Sequence, residues 1–262
     1  GAAKAEKKAS RIAAEGITRA AIAADSKTGV VAEVNSETDF VAKNEVFQTF
    51  VQEIADQALA SALVGGDNGE DVEALLEENG LKDALVEKTA TIGEKLSFRR
   101  FQKVTGDVVV SYLHGGGRIG VLVAGEGVND DAAKEALTNV AMQIAAMNPG
   151  YLDEASVPAE VIAKEKDILI AQMKEDPKMA NKPDAVLGKI VEGKIGKFYK
   201  ENCLVEQQYV IDGDLTVGKY VEKTAKELGA DIKIASFVRF EKGEGLEKRV
   251  DDFAAEVAAM AK

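Results

Sequence analysis

One order of elements occurs twice in this chain of 262 residues, and it restricts the fold more than any other feature. A glycine opens a strand, a turn follows, a second strand returns, and a loop leads into a helix. In the first copy Gly16 precedes ITRAAIAAD, the turn is Ser26–Gly29, and VVAEV returns. In the second, Gly106 precedes DVVVSYL, a glycine turn follows, IGVLVAG returns, and Asp131–Met147 reads as a helix. Gly16 and Gly29 stand 13 residues apart, Gly106 and Gly120 stand 14 apart. The layout repeats although residue identity does not, which points to an internal duplication. Hairpins build antiparallel sheets, so this order predicts an α+β fold rather than a parallel α/β sheet.

The remaining stretches fit around those two units. Asn44 is placed to cap a helix running to about Ala60, whose apolar stripe is Phe47, Phe50, Val51, Ile54 and Ala58 at i, i+3, i+4 spacing. A loop GGDNG at 65–69 ends that helix, Glu70–Thr89 is helical with a break at Asn79-Gly80, and the alternation in Ile92–Thr105 predicts a strand. Ser156 and Pro158 start a polar helical insert with Val161, Ile162, Ile168, Leu169 and Met173 on one face. After breaks at Asp176-Pro177 and Lys182-Pro183, a second helix carries Leu187, Ile190, Val191, Ile195 and Phe198 towards Cys203. Two such helices do not bury all their apolar surface on each other, so they pack on the body of the protein or on a second copy. VEQQYVI predicts a strand, Val217–Leu228 a helix, DIKIASFVRFEKG a strand, and Val250–Ala261 a closing helix.

Composition removes several functions. The 33 basic and 45 acidic residues leave a net charge of −12, a surface that repels phosphate backbones and anionic membranes. A single cysteine, Cys203, and a single histidine, His114, exclude an intrachain disulfide and any Cys or His metal cage. The lone cysteine fits a reducing compartment and no secretory signal opens the chain, so the expected location is a bacterial-type cytoplasm, with an organellar matrix or stroma as the alternative. Gly115, Gly117 and Gly120 spell G-x-G-x-x-G, but a strand follows where a dinucleotide site needs a helix. GDLTVGKY at 213–220 resembles a phosphate loop, yet Tyr220 stands where a Ser or Thr must ligate Mg²⁺, and Thr216 suits a helix N-cap better. No nucleophile, base and orienting group come together, so no active site, metal or cofactor is expected. One feature remains: Ser36-Glu37-Thr38-Asp39-Phe40-Val41-Ala42 puts a Phe beside an Asp in a break between strand and helix. It is either a capped turn with Phe40 folded onto the core or a presented tip, an apolar wedge beside a negative charge.

The residues resemble the translation elongation factor Ts family. The likeness is carried by Thr38–Val41 after EVNSE, by Tyr112–Val123 (YLHGGGRIGVLV), and by Met142–Pro149 (MQIAAMNP). It continues in Phe237–Gly245 (FVRFEKGEG) and Asp251–Met260 (DDFAAEVAAM), in the family's order. The resemblance implies a guanine-nucleotide exchange factor for the GTPase elongation factor Tu, and no enzyme. It implies a linker or helix at 1–15, one core subdomain at 16–105 and another formed by 106–153 and 204–245. A dimerisation-type helical hairpin at 154–203, and hence a possible homodimer, and a C-terminal helical module at 246–262 complete the expected arrangement. It further implies that Thr38, Asp39, Phe40 and Val41 displace Mg²⁺ from the partner, with further contacts from His114, Gly115, Arg118, Phe253, Val257 and Met260. The family's small N-terminal helical domain is expected to be missing, with Ala2–Glu15 as the linker after it and Gly1 marking a trimmed or naturally shortened form. A chain with the same surfaces but no exchange activity would be an interaction protein of the translation or chaperone machinery.

Overall fold

The computed structural model describes residues 2–249, 257, 258, 260 and 261, and the chain divides into two compact units. The first comprises Gly1–Ala124 with Val238–Lys262, the second Gly125–Phe237. The fold is α+β, with two antiparallel sheets.

The first unit opens with α1 (Ala2–Lys8), which is Ala- and Lys-rich and buries nothing. β1 (Ile17–Ile22) and β2 (Thr28–Asn35) form the expected hairpin, with Ile17 opposite Val34 and Ile22 opposite Gly29. A single turn, α2 (Asp39–Ala42), leads into α3 (Glu45–Ala60). The Asn44 side chain accepts the Phe47 N–H at 3.2 Å, and the whole predicted stripe of α3 is buried, with Ala55 added. That face packs on the sheet together with Leu75, Phe98 and Phe101.

Two boundaries differ from the sequence pattern. Part of the GGDNG segment is a strand, β3 (Gly65–Gly66), followed by α4 (Val72–Leu76), α5 (Leu81–Ile92) and β4 (Ser97–Thr105). Gly65 pairs with Gln102 so closely that a Cβ would collide with the Phe101 carbonyl, so only glycine fits this edge. β4 starts at Ser97 and not at Ile92, because Ile92 still belongs to α5 and packs against the core there. The strand order is β1-β2-β4-β3. β5 (Val108–His114), β6 (Ile119–Gly127) and β7 (Ile232–Glu241) make the second sheet in the order β5-β6-β7. In both sheets the strand that returns after the helices lies beside the second strand of a hairpin.

Glu33 on β2 is fully buried, which a carboxylate tolerates only with complete pairing. It accepts from Arg100 Nε at 2.6 Å, Arg99 Nη1 at 3.2 Å, Asn35 Nδ2 at 2.8 Å and the Gly243 N–H at 2.7 Å. Arg100 also sits 4.2 Å from the Phe240 ring centroid. The turn after β7 is thereby tied to β2 and β4, and Lys242 pairs with Glu15 beside it.

In the second unit, Asp130 caps α6 (Asp131–Met147) by accepting the Ala133 N–H at 2.8 Å. α7 (Ala159–Glu175) and α8 (Asp184–Asn202) form the helical insert, with Met173, Val191 and Ile195 buried between them and Ile168, Ile170 and Val186 exposed. VEQQYVI is not a strand: Leu204–Glu206 is a 3-10 turn and Gln208 pairs only with Thr216. Local turn bonds take the peptide groups of Glu206, Gln207 and Tyr209, and Gln143, buried on α6, takes two more with its amide. Its Nε2 donates to the Gln208 carbonyl at 3.1 Å and its Oε1 accepts the Val210 N–H at 2.9 Å. α9 (Val217–Leu228) begins at Thr216, whose hydroxyl accepts the Lys219 N–H at 3.2 Å. Most of the expected C-terminal helix, Phe253 included, lies outside the described residues.

Candidate functional site

β2 delivers the chain to Ser36, where a pair of backbone hydrogen bonds joins Ser36 to Glu15. Beyond it Thr38 has extended backbone, and its hydroxyl accepts the Val41 N–H at 3.3 Å, capping α2. Val41 packs partly against the core and Ala42 is buried, so one side of the turn is rooted. The other side projects. Phe40 is 83% exposed, not folded back, and Asp39 beside it is exposed with Lys43 3.8 Å away. An apolar ring this bare, on a turn whose neighbours are anchored, is kept out of the core by the backbone that carries it.

Glu94, Lys95 and Arg11, which local sequence patterns do not connect to it, hold the turn together with its own Glu37. The Glu94 carboxylate accepts the Glu37 N–H at 3.1 Å, the Thr38 N–H at 3.0 Å and the Thr38 hydroxyl at 2.7 Å. The Glu37 carboxylate in turn accepts the Lys95 N–H at 2.8 Å and pairs with Arg11 at 3.4 Å. Glu94 is 56 residues from Thr38 in sequence, and it follows a helix end that looks like any other.

The second predicted contact region is the turn between β5 and β6. His114, Gly115 and Arg118 are exposed there, and the Tyr112 hydroxyl lies 3.1 Å from His114 Nδ1. The turn is fixed through its carbonyls: Gly117 O accepts the Thr18 N–H at 2.7 Å and the Thr18 hydroxyl at 2.9 Å, and Gly116 O accepts from Arg19 Nη1 at 2.9 Å. Burial lowers the Arg19 pKa from its ordinary value. Since Ile17 faces Val34, the start of β1 and the end of β2 form one end of the hairpin, and both turns are fastened there. Val257 and Met260 are exposed; Phe253 is outside the described residues.

The nucleotide-like patterns hold no such site. Gly115–Gly120 runs from strand to strand. The Tyr220 hydroxyl accepts from Asn139 Nδ2 at 2.9 Å and its ring stacks on Tyr209 at 4.3 Å, inside the packing of α6 and α9. Burial, with Glu206, Glu154 and Asp153 nearby, pushes the Cys203 thiol up to about 11, so it is no ready nucleophile. Among the described residues no cluster of three His, Cys, Asp or Glu side chains could hold a metal, and no helix is long and apolar enough to cross a membrane.

An α+β scaffold here braces an exposed apolar turn from behind, the kind of surface feature through which proteins make contacts. The family model for elongation factor TS matches residues 37–244. The chain is similar to elongation factor Ts of Clostridium tetani (strain Massachusetts / E88), 46% identical over 267 residues, 98% of this chain and 84% of that protein. Against elongation factor Ts of a Nitratiruptor species it is 44% identical over 272 residues, 100% of this chain and 86% of the relative. The chain belongs to the elongation factor Ts family, and its role is in translation elongation.

Proposed function

We propose that this protein is a guanine-nucleotide exchange factor for the GTPase elongation factor Tu, acting by contact and not by covalent chemistry. One observation carries the reading: Phe40, in a member of this family, is 83% exposed on a capped and braced turn. GDP is held in such GTPases through phosphate contacts and a bridging Mg²⁺. Phe40 enters between helices flanking the Mg²⁺ site and shifts one of them, Asp39 disturbs the water and ligand shell of the ion, and Thr38 and Val41 set the shape of the turn. Once Mg²⁺ and the phosphate loop are displaced, GDP leaves and GTP can bind. By linkage, GDP weakens the binding of the exchange factor by the same factor.

Magnitudes assign work beyond Phe40. Accelerating release by ~10³–10⁵ takes about 4–7 kcal/mol. Burying one Phe supplies only about 1.5–3 kcal/mol. The rest comes from differential binding to the nucleotide-free state across the wider interface, including the second subdomain and the terminal Phe253, Val257 and Met260, with His114, Gly115 and Arg118 as further contacts that hold the complex. In this reading the core is a duplicated pair of subdomains, and Ile168, Ile170 and Val186 on the α7–α8 hairpin suit a homodimer. The net charge of −12 favours a protein partner over nucleic acid or membrane, and the bacterial relatives favour the cytoplasm.

Stopped-flow release of a fluorescent GDP from elongation factor Tu tests this. Phe40→Ala is expected to leave complex formation measurable while lowering the maximal release rate by about ten- to a hundredfold. An unchanged rate sinks the wedge role, and no stimulation by the parent chain sinks the exchange reading itself.

A further inference from the structure

We infer that Glu94 is a positioning residue for exchange: it acts through the Thr38–Val41 turn, without touching the partner. The inference rests on the exchange reading above. The turn cannot hold its own shape, because α2 is one turn long, far below the length at which a helix is stable by itself. Nor does burial of Phe40 fix it, since the ring is exposed. Val41 and Ala42 root the far side of the turn in the core, and the near side, Glu37–Thr38, is held by the brace. Glu94 collects two consecutive amides, those of Glu37 and Thr38, and the Thr38 hydroxyl proton. With that proton directed at Glu94, the hydroxyl's lone pair is turned to the Val41 N–H, so one side chain relays the brace into α2.

The arrangement is reciprocal. The Glu94 side chain holds the backbone at 37–38, and the Lys95 backbone holds the Glu37 side chain, with Lys95 Nζ also donating to the Arg11 carbonyl at 3.1 Å. Two adjacent residues on each side clasp one another. Both Glu94 oxygens are engaged by the turn, which is why its effect is indirect. A turn ordered in advance presents Phe40 without an entropic penalty at the moment of docking.

The test uses the full chain with Glu94→Ala and Glu94→Gln, each alone and combined with Phe40→Ala. Amide hydrogen exchange reads the clasp without any partner: Glu94→Ala is expected to lower protection at Glu37 and Thr38 by about tenfold, with the α3 amides unchanged. In GDP release, Glu94→Ala is expected to lower the maximal rate by about tenfold in the parent chain and to change it less than about twofold in the Phe40→Ala background. Glu94→Gln, which keeps one carbonyl acceptor, falls between, and it decides the matter if Glu94→Ala does not fold. Unchanged protection at Thr38, or a release defect of equal size in both backgrounds, overturns the inference. If Phe40→Ala leaves release unaltered, the wedge reading fails, and the amide measurement still decides whether the clasp exists.

Discussion

The two turns at the open end of the β1–β2 hairpin are built in opposite ways. At Thr38–Val41 the backbone is held by side chains from elsewhere, and the side chain it carries, Phe40, is left bare. At His114–Arg118 the turn is held by its own carbonyls against β1, and Gly117 lets the chain come close enough for that. The first solution suits a turn whose side chain must do something. The second suits a turn whose backbone position matters, since any side chain at its closest point would block the docking.

The largest effect expected from testing this contrast is at Gly117. Its φ is +101°, and a Cβ there would lie 2.5 Å from the Thr18 carbonyl and against the Arg19 guanidinium. Gly117→Ala must therefore strain the backbone and also lift the turn off β1, a cost of about 2–4 kcal/mol. Gly116 has a φ of +69° with open space where a Cβ would go, so Gly116→Ala carries only the left-handed strain of about 1–2 kcal/mol. Urea denaturation of the two variants measures the difference. Equal midpoints would mean that the docking on β1 contributes nothing.

A smaller effect is expected at Thr38, and it should appear in function more than in stability. Thr38→Ala removes the cap on α2 and one of the three bonds to Glu94. Loss of an N-cap costs about 1 kcal/mol, felt here by a turn that contributes little to the core. Maximal GDP release should fall about three- to tenfold while Tm moves by no more than about 2 °C. Thr38→Ser, which keeps the hydroxyl, should recover most of the rate. A large drop in Tm would show the turn to be part of the core after all.

The elements were legible where a local period or a cap announces them. The stripe of α3, the caps Asn44 and Thr216, and the hairpins on either side of Ser26 and Gly116 all follow from residues within one turn of each other. What failed was largely non-local. Gly65-Gly66 is a strand only because Gln102 and Phe101 lie beside it, and in VEQQYVI local turns and Gln143, more than sixty residues away, take the peptide groups a strand partner would need. The site divides the same way. Phe40 stood out as an aromatic in a turn, whereas the clasp behind it is made with Glu94 and Lys95, which no spacing rule connects to it.

The smallest effect expected is at His114, and it separates the turns most sharply. The ring is exposed and its hydrogen bond with the Tyr112 hydroxyl, at 3.1 Å, competes with water. Removing it should change stability by less than about 0.5 kcal/mol. If this turn serves as a contact and the other as a wedge, His114→Ala should weaken the complex with elongation factor Tu by less than about tenfold. The maximal rate of GDP release at saturating concentration should stay near that of the parent. Phe40→Ala should do the reverse, lowering the maximal rate while the complex persists. A titration of release rate against exchange-factor concentration gives both quantities for both variants. Should His114→Ala depress the maximal rate as far as Phe40→Ala does, the two turns share one task, and their opposite construction would be two ways of fixing a wedge.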